Sequence, residues 1–234
     1  MNRIVHFSVS KLFDTFNYEL DFQPECDNLM FLTAPNGYGK TTILSIMYYM
    51  LSGRKYWPLN MPPFESATIT FENGDKLNAT YEPNTTQYYD VHFYRADGAE
   101  DKWKSTTSSN LLSSNSPLPS PIKSNVFDKL EKDFHLSPHI RDHIGYASNG
   151  EQNLVCLYQT LLNDKDIVYL FLDSIDEGMH VAWQRILADE IIKLRPGIQI
   201  IYATHSPSVI KGRWKRCVDL YYVLHHDEDK DEDD

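Results

Sequence analysis

The chain has 234 residues, 41% hydrophobic and 24% charged, which suffices for one large α/β domain or two small ones with a sizeable buried core. Its formal net charge of −11 argues against broad coating of nucleic acid, though not against one basic groove. Cys26, Cys156 and Cys217 have the spacing of neither a zinc site nor a disulfide framework, the longest apolar runs (such as 167–172) are far too short to span a bilayer, and no signal peptide is read, so the expectation is a cytoplasmic protein without membrane contact.

In chain order, roughly the first 95 residues read as strand-rich. Segments 4–9 and 18–22 alternate partially, and 30–32 reads as a short buried strand. Residues 41–51 carry Ile43, Leu44, Ile46, Met47 and Met50 at helical spacing. Segments 68–71 and 76–81 flank Asn73-Gly74, a strong hairpin signal, and 88–94 is another aromatic, strand-like run. Ser, Asn, Pro and Thr dominate 104–125, with Pro117, Pro119 and Pro121 nearly consecutive, which predicts a linker or mobile loop. An amphipathic helix resumes over 126–134.

From Gly150 onward the pattern is α/β: helix 151–162, strand 167–172, helix 181–194 and strand 199–203, with Cys156 as a small core residue. The end, 226–234, holds seven acidic residues against one Lys and reads as a disordered, solvated tail. The sharper alternative is a docking tail for a basic partner or a guard that repels nucleic acid. The expected organisation is one domain, 1–225, followed by that tail. No internal repeat or heptad run is present, so no long coiled coil is expected.

Four motifs carry chemistry. The first is Ala34-Pro35-Asn36-Gly37-Tyr38-Gly39-Lys40-Thr41-Thr42, set between a strand and a helix. It fits the phosphate-binding loop G-x-x-x-x-G-K-S/T with Ala34 in place of the first Gly. Gly37 and Gly39 permit backbone shapes that aim N–H groups at phosphate oxygens, Lys40 would reach the β- and γ-phosphates, and Thr41 would ligate Mg²⁺. The helix N-terminus adds its positive end.

The second motif, Ala147-Ser148-Asn149-Gly150-Glu151-Gln152, opens a helix. A hydroxyl, a Gly backbone and a helix N-terminus make an anion site, although Ser-Asn-Gly-Glu alone is only a helix start. The third, Tyr169-Leu170-Phe171-Leu172-Asp173, is a buried strand ending in a carboxylate, the Walker B pattern, where Asp173 would hold Mg²⁺. Ser174 follows where a catalytic Glu is usual, so Asp176 and Glu177 are the substitute candidates for a base. The fourth, 200–207, is a strand that ends in Thr204-His205 before Ser206-Pro207.

The order and spacing of these motifs resemble the ABC-type P-loop ATPases of the SMC, RecF and OLD-like group. Residues 172–180 look like the DE(I/P)E-x-G-L-H run of OLD-like and AAA15-type ATPases, and His205-Ser206-Pro207 matches their A-T-H-S-P. Transporter ABC domains fit less well, since they carry L-S-G-G-Q where this chain has Ser148-Asn149-Gly150-Glu151-Gln152. The resemblance implies an α/β fold with a mostly parallel core sheet, an N-terminal antiparallel β subdomain and a small helical lobe. It implies ATP and Mg²⁺ as ligands, held by Asn36 through Thr42 in one copy and by Ser148, Gly150 and Glu151 of another. By the same resemblance His205 is the switch histidine that contacts the γ-phosphate, and Asp173 acts with it. The TOPRIM nuclease of OLD proteins is not found here.

The leading functional expectation is an ATPase that forms a homodimer or higher oligomer around nucleotide. It would control a separate effector, a nuclease or toxin, in bacterial or phage defence. Ser174 implies slow hydrolysis, and its extreme is a non-hydrolysing ATP-dependent scaffold or sensor. A RecF- or Rad50-like DNA-repair ATPase is the third reading, with Lys211, Arg213, Lys215 and Arg216 around Trp214 as the candidate nucleic-acid patch, or an ordinary solvated surface. Phe13 and Phe16 are candidates for stacking on the base.

Overall fold

The structure, a computed structural model, describes residues 2–22, 28–53, 57–58, 61–81, 89–101, 108–114 and 116–226. The expectations for Cys26, Tyr88, 104–107, residue 115 and the tail 227–234 lie outside the described residues. In chain order the elements are β1 (Ile4–Leu12), β2 (Phe16–Asp21), β3 (Leu29–Thr33), α1 (Lys40–Ser52), β4 (Ser66–Phe71), β5 (Lys76–Tyr81), β6 (Tyr89–Tyr94), β7 (Glu100–Asp101) and β8 (Ser108–Ser113). They continue with α2 (Ser124–Phe134), α3 (Asn149–Asn163), β9 (Ile167–Asp173), α4 (Val181–Leu194), β10 (Gln199–Ala203), α5 (Pro207–Ile210), β11 (Cys217–Asp219) and α6 (Leu220–His226).

Six strands make an antiparallel sheet in the order β2-β1-β4-β5-β6-β7. Its strands bury one side: Ala67, Ile69 and Phe71 of β4 and Leu77 and Ala79 of β5 face inward, while the residues between them are at least partly exposed. The β4–β5 turn is a three-residue loop. Phe71 N–H donates to Asp75 O, Gly74 N–H donates to Phe71 O, and Gly74 takes φ 86°. That left-handed step is why Gly follows Asn73 there.

The second sheet is parallel throughout, in the order β11-β3-β10-β9-β8. Its central strands are apolar on both faces because each face has its own core. Met30, Leu32, Tyr169, Phe171, Ile201 and Ala203 join the core shared with α1 and the antiparallel sheet. The alternate residues Leu29, Phe31, Leu170, Leu172, Ile200 and Tyr202 join a second core beneath α2, α3 and α4. Helix α1 buries residues around its circumference, among them Ile43, Leu44, Ile46, Met47, Met50 and Leu51, because a sheet lies on either side of it. Helices α2 and α3, with the 3-10 turns Pro138–Arg141 and Ile144–Tyr146, form the small helical lobe.

One expectation is corrected. Within the stretch read as a linker, 108–113 form strand β8, which pairs in parallel with β9. The reason is burial: Leu112 contributes to the core under α2–α4, and Leu111 packs against the opposite core. A ladder to an already buried strand outweighs the Ser- and Asn-rich local sequence. No helix among the described residues is long and apolar enough to cross a membrane.

Candidate functional site

Strand register assembles the site. Ala203 at the end of β10 is paired with Leu32 of β3 on one side and Asp173 of β9 on the other. The three strands therefore end level, and the loops after them meet at the carboxyl edge of the parallel sheet. Ligands bind open α/β sheets at that edge. A cleft of about 260 Å³ lies there, lined by Phe13, Asn36, Gly37, Gly39, Lys40, Thr41, Thr42, Ser174 and His205.

The phosphate-loop geometry follows from its glycines. Gly37 and Gly39 take φ 91° and 85°, in the left-handed region. At Gly39 a Cβ would also stand 2.9 Å from Leu12 Cδ2 and 3.3 Å from Phe13 Cε2, so a side chain there is strained by φ and must displace its neighbours. Gly39 is the N-cap of the 13-residue α1 and supplies no side-chain cap bond. The first-turn N–H groups of α1 are thus uncapped beside the cleft, at the positive end of the helix.

Lys40 is 8% exposed, and its Nζ donates to Ala34 O at 2.9 Å and Pro35 O at 3.2 Å. Burial lowers its pKa, against the opposing pull of Asp173 and Asp219. Asp173 is 9% exposed, and burial raises its carboxyl above the usual range, against the hydroxyl bond from Thr41 and the charges of Lys40 and His205. A buried carboxylate beside a Thr hydroxyl offers hard oxygen donors suited to Mg²⁺. No group of three His, Cys, Asp or Glu suited to a metal occurs among the described residues. Two protein oxygens completed by phosphate and water oxygens is how Mg²⁺ is commonly held.

Ser174 takes φ 52°, a left-handed conformation rare for a residue with a Cβ, and its N–H donates to Ala203 O at 2.9 Å. His205 is exposed at the cleft. Phe13 reaches the cleft from a turn in which Lys11, Phe13 and Asp14 all have positive φ. Phe16 instead stacks on Tyr38, with ring centroids 5.9 Å apart. Tyr38 braces the loop from outside: its ring lies against Phe16 and Tyr221, and its carbonyl accepts from Tyr18 Oη at 2.8 Å.

The remaining candidates lie elsewhere. Asp176 is 6% exposed and accepts from Tyr202 Oη at 2.7 Å and Thr204 Oγ1 at 3.0 Å. Glu177 is exposed and does not line the cleft. Ser148 caps α3 in a capping box with Glu151, whose carboxylate accepts from Ser148 N–H and Oγ at 2.7 Å each. Gly150 lies against the turn after β9, where a Cβ would stand 2.5 Å from Gly178 O. None of Ser148, Gly150 and Glu151 lines the chain's own cleft. In the basic patch, Lys211 and Arg213 are both ion-paired to Asp189.

In the sequence Ser174 stands out only as a missing Glu, and neither Asp219 nor Asn153 belongs to one of the four motifs. Asp219 has a usable signal, an acid at the end of the strand beside β3. Asn153 has none, since its partners are the remote carbonyls of Ile175 and Glu177.

Residues 143–211 match a family model described as "AAA domain, putative AbiEii toxin, Type IV TA system", less than half of the chain. No curated protein matches. Among solved structures, an SMC head bound to the C-winged helix domain of ScpA is similar at TM-score 0.58 and 14% identity, over 89% of this chain and 91% of that one. The SMC head domain from Thermotoga maritima gives 0.54 and 13%, over 89% and 91%. An SMC head from Pyrococcus furiosus, bound to the C-terminal domain of ScpA, gives 0.58 and 11%, over 90% and 92%. A parallel sheet, an antiparallel sheet and helices arranged in this way give the chain the α/β fold of SMC head domains.

Proposed function

We propose that this chain is an ATP-binding, slowly hydrolysing ABC-type ATPase that dimerises around nucleotide and controls a partner effector. The observation that carries the reading is the level ending of β3, β10 and β9. It brings Lys40, Thr41, Ser174 and His205 around one cleft at an uncapped helix N-terminus, with the buried Asp173 at the end of β9 beside it. Lys40 would exchange its bonds to Ala34 and Pro35 carbonyls for phosphate oxygens, and the loop N–H groups would hold the same phosphates. Thr41 and Asp173 would hold Mg²⁺, which when bound neutralises charge on the phosphates. His205 would contact the terminal phosphate, and Phe13 offers an aromatic wall near the entrance.

Slow turnover is supported by the cleft's composition. Among its described lining residues there is no carboxylate, and Ser174 cannot take a proton at neutral pH. Asp173 does not line the cleft, and in this reading its carboxylate is taken up by Mg²⁺ rather than acting as a base. The non-hydrolysing scaffold is the limit of the same observation.

Dimerisation is supported by the placement of Ser148, Gly150 and Glu151 away from the chain's own cleft, at the N-terminus of the 15-residue α3. A second copy's cleft is the natural recipient of such an end. The effector is read as a nuclease or toxin acting in defence; the toxin–antitoxin wording of the family matched over residues 143–211 supports only the link to a toxin system. Two of the three SMC heads found similar are bound to ScpA domains, which supports a protein partner.

The deciding experiment is calorimetry with Mg-ATP. Wild type binds and Lys40→Ala loses at least about tenfold in affinity, one charge-assisted contact being worth roughly 1.5–3 kcal/mol. Equal affinity in the two proteins would show that the cleft is not the nucleotide site.

A further inference from the structure

The turn between β9 and α4, residues 174–180, is held from two sides. On one side the buried carboxylate of Asp176 accepts from Tyr202 Oη at 2.7 Å and from Thr204 Oγ1 at 3.0 Å. Thr204 Oγ1 in turn accepts from Ser206 N–H at 2.9 Å, and Ser206 Oγ donates to Gln184 Oε1 at 2.8 Å. Gln184 Nε2 closes the ring, donating to the carbonyls of Asp176 and Met179 at 3.2 Å each. His205 is bracketed by this ring: both its neighbours belong to it, while its own side chain faces the cleft. On the other side Asn153 of α3, 5% exposed, donates to Ile175 O at 3.0 Å and Glu177 O at 3.4 Å, next to the Gly150–Gly178 contact.

A general base has to reach the proton it removes, within about 3 Å or through one water. Asp176 is buried, does not line the cleft, and is already bonded to two hydroxyls. We propose that Asp176 is a positioning residue: it clasps the turn that carries Ser174 to the strand end that carries His205, and so fixes both cleft-facing side chains relative to the N-terminus of α3. The catalytic consequence rests on the nucleotide reading above, whereas the clasp itself does not. A displacement of about 1 Å at a reacting centre costs on the order of 10²-fold in rate, so a loosened clasp is felt in turnover before it is felt in binding.

The two roles separate by substitution. Asn at 176 keeps an acceptor for one hydroxyl and offers a donor to the other, whose proton rotates away; Ala keeps neither. The experiment compares wild type, Asp176→Asn, Asp176→Ala, Thr204→Val and Thr204→Ser by single-turnover ATP hydrolysis, ATP affinity and the His205 ring resonances of the nucleotide-free protein. Expected are a near-normal rate and an unmoved His205 signal in Asp176→Asn and Thr204→Ser. In Asp176→Ala and Thr204→Val the rate falls about 10- to 100-fold with affinity retained, and the His205 signal shifts. Combining Asp176→Ala with Thr204→Val should add little, because both open one ring.

The proposal is overturned if Asp176→Asn is as inactive as Asp176→Ala while His205 is unmoved, the behaviour of a base. It is equally overturned if Asp176→Ala leaves both rate and His205 signal unchanged. Should Asp176→Ala not fold, the Thr204→Val and Thr204→Ser pair decides by the same readouts. A wild type that does not bind ATP refutes the nucleotide reading instead, and the His205 signals still decide the clasp.

Discussion

Gly150 offers a sharp test of how α3 meets the turn after β9. Gly150→Ala adds one methyl group to the first turn of a helix, where propensity alone favours Ala by about 0.5–1 kcal/mol. The structure opposes that gain. The new Cβ would stand 2.5 Å from Gly178 O, 2.7 Å from Met179 Cα and 2.8 Å from Gly178 C. All three are backbone atoms, and ordinary contact begins at 3.4 Å, so α3 and the turn must part by about 1 Å. Overpacking of this kind costs typically about 1–3 kcal/mol, which exceeds the propensity gain. The net loss of about 1–2 kcal/mol lowers Tm by roughly 2–8 °C for a domain of this size.

The assay is thermal unfolding of Gly150→Ala beside Gly145→Ala, whose added Cβ meets nothing within 4 Å. The Gly145 variant should match wild type or exceed it slightly. A Gly150→Ala protein as stable as wild type would refute the close approach of α3 to residues 178–179, and with it one side of the hold on that turn.

Three further outcomes are expected. Ser148→Arg places a bulky charge at the exposed start of α3, so ATP-dependent association seen by light scattering should disappear while ATP binding persists; an unchanged oligomer would sink the shared-site model. Ser174→Glu restores a carboxylate at a cleft-lining position and should raise phosphate release on the order of 10²-fold, the lower range of general base catalysis, and an unchanged rate would show that the base lies elsewhere.

Asp173→Asn should stabilise the metal-free protein at pH 7 while weakening Mg-ATP binding. Because burial raises the Asp173 pKa, its folded-state contribution is present below the unfolded value near 3.8 and is lost as pH rises through the raised one. The Tm advantage of Asp173→Asn should therefore shrink as pH falls toward 4. A wild type that melts higher than the variant at pH 7 would contradict that sign.

What the sequence determined by itself is local and periodic. The bounds of α4 and β10 are readable to the residue, because apolar spacing changes from helical to continuous across Pro196-Gly197. That a helix opens at Ser148-Asn149-Gly150-Glu151 is readable, although α3 begins at Asn149, two residues before the expected 151, because Ser148 caps it with Glu151. The phosphate loop is readable because its glycines, Lys40 and the helix after it are contiguous. Burial between partners distant in sequence was decided by the tertiary structure alone. Strand β8 exists because β9 is there to pair with it, against a composition that reads as loop. Phe13 reaches the cleft from a turn in which Lys11, Phe13 and Asp14 have positive φ, which no local pattern announces. Asp176 looks like a spare catalytic acid in the chain and is a buried acceptor in the fold, since Tyr202 and Thr204 come to it from 26 and 28 residues away. Local motifs specify which groups a site owns, and strand register and packing decide which of them face the ligand, because a side chain's direction depends on neighbours the local sequence does not contain.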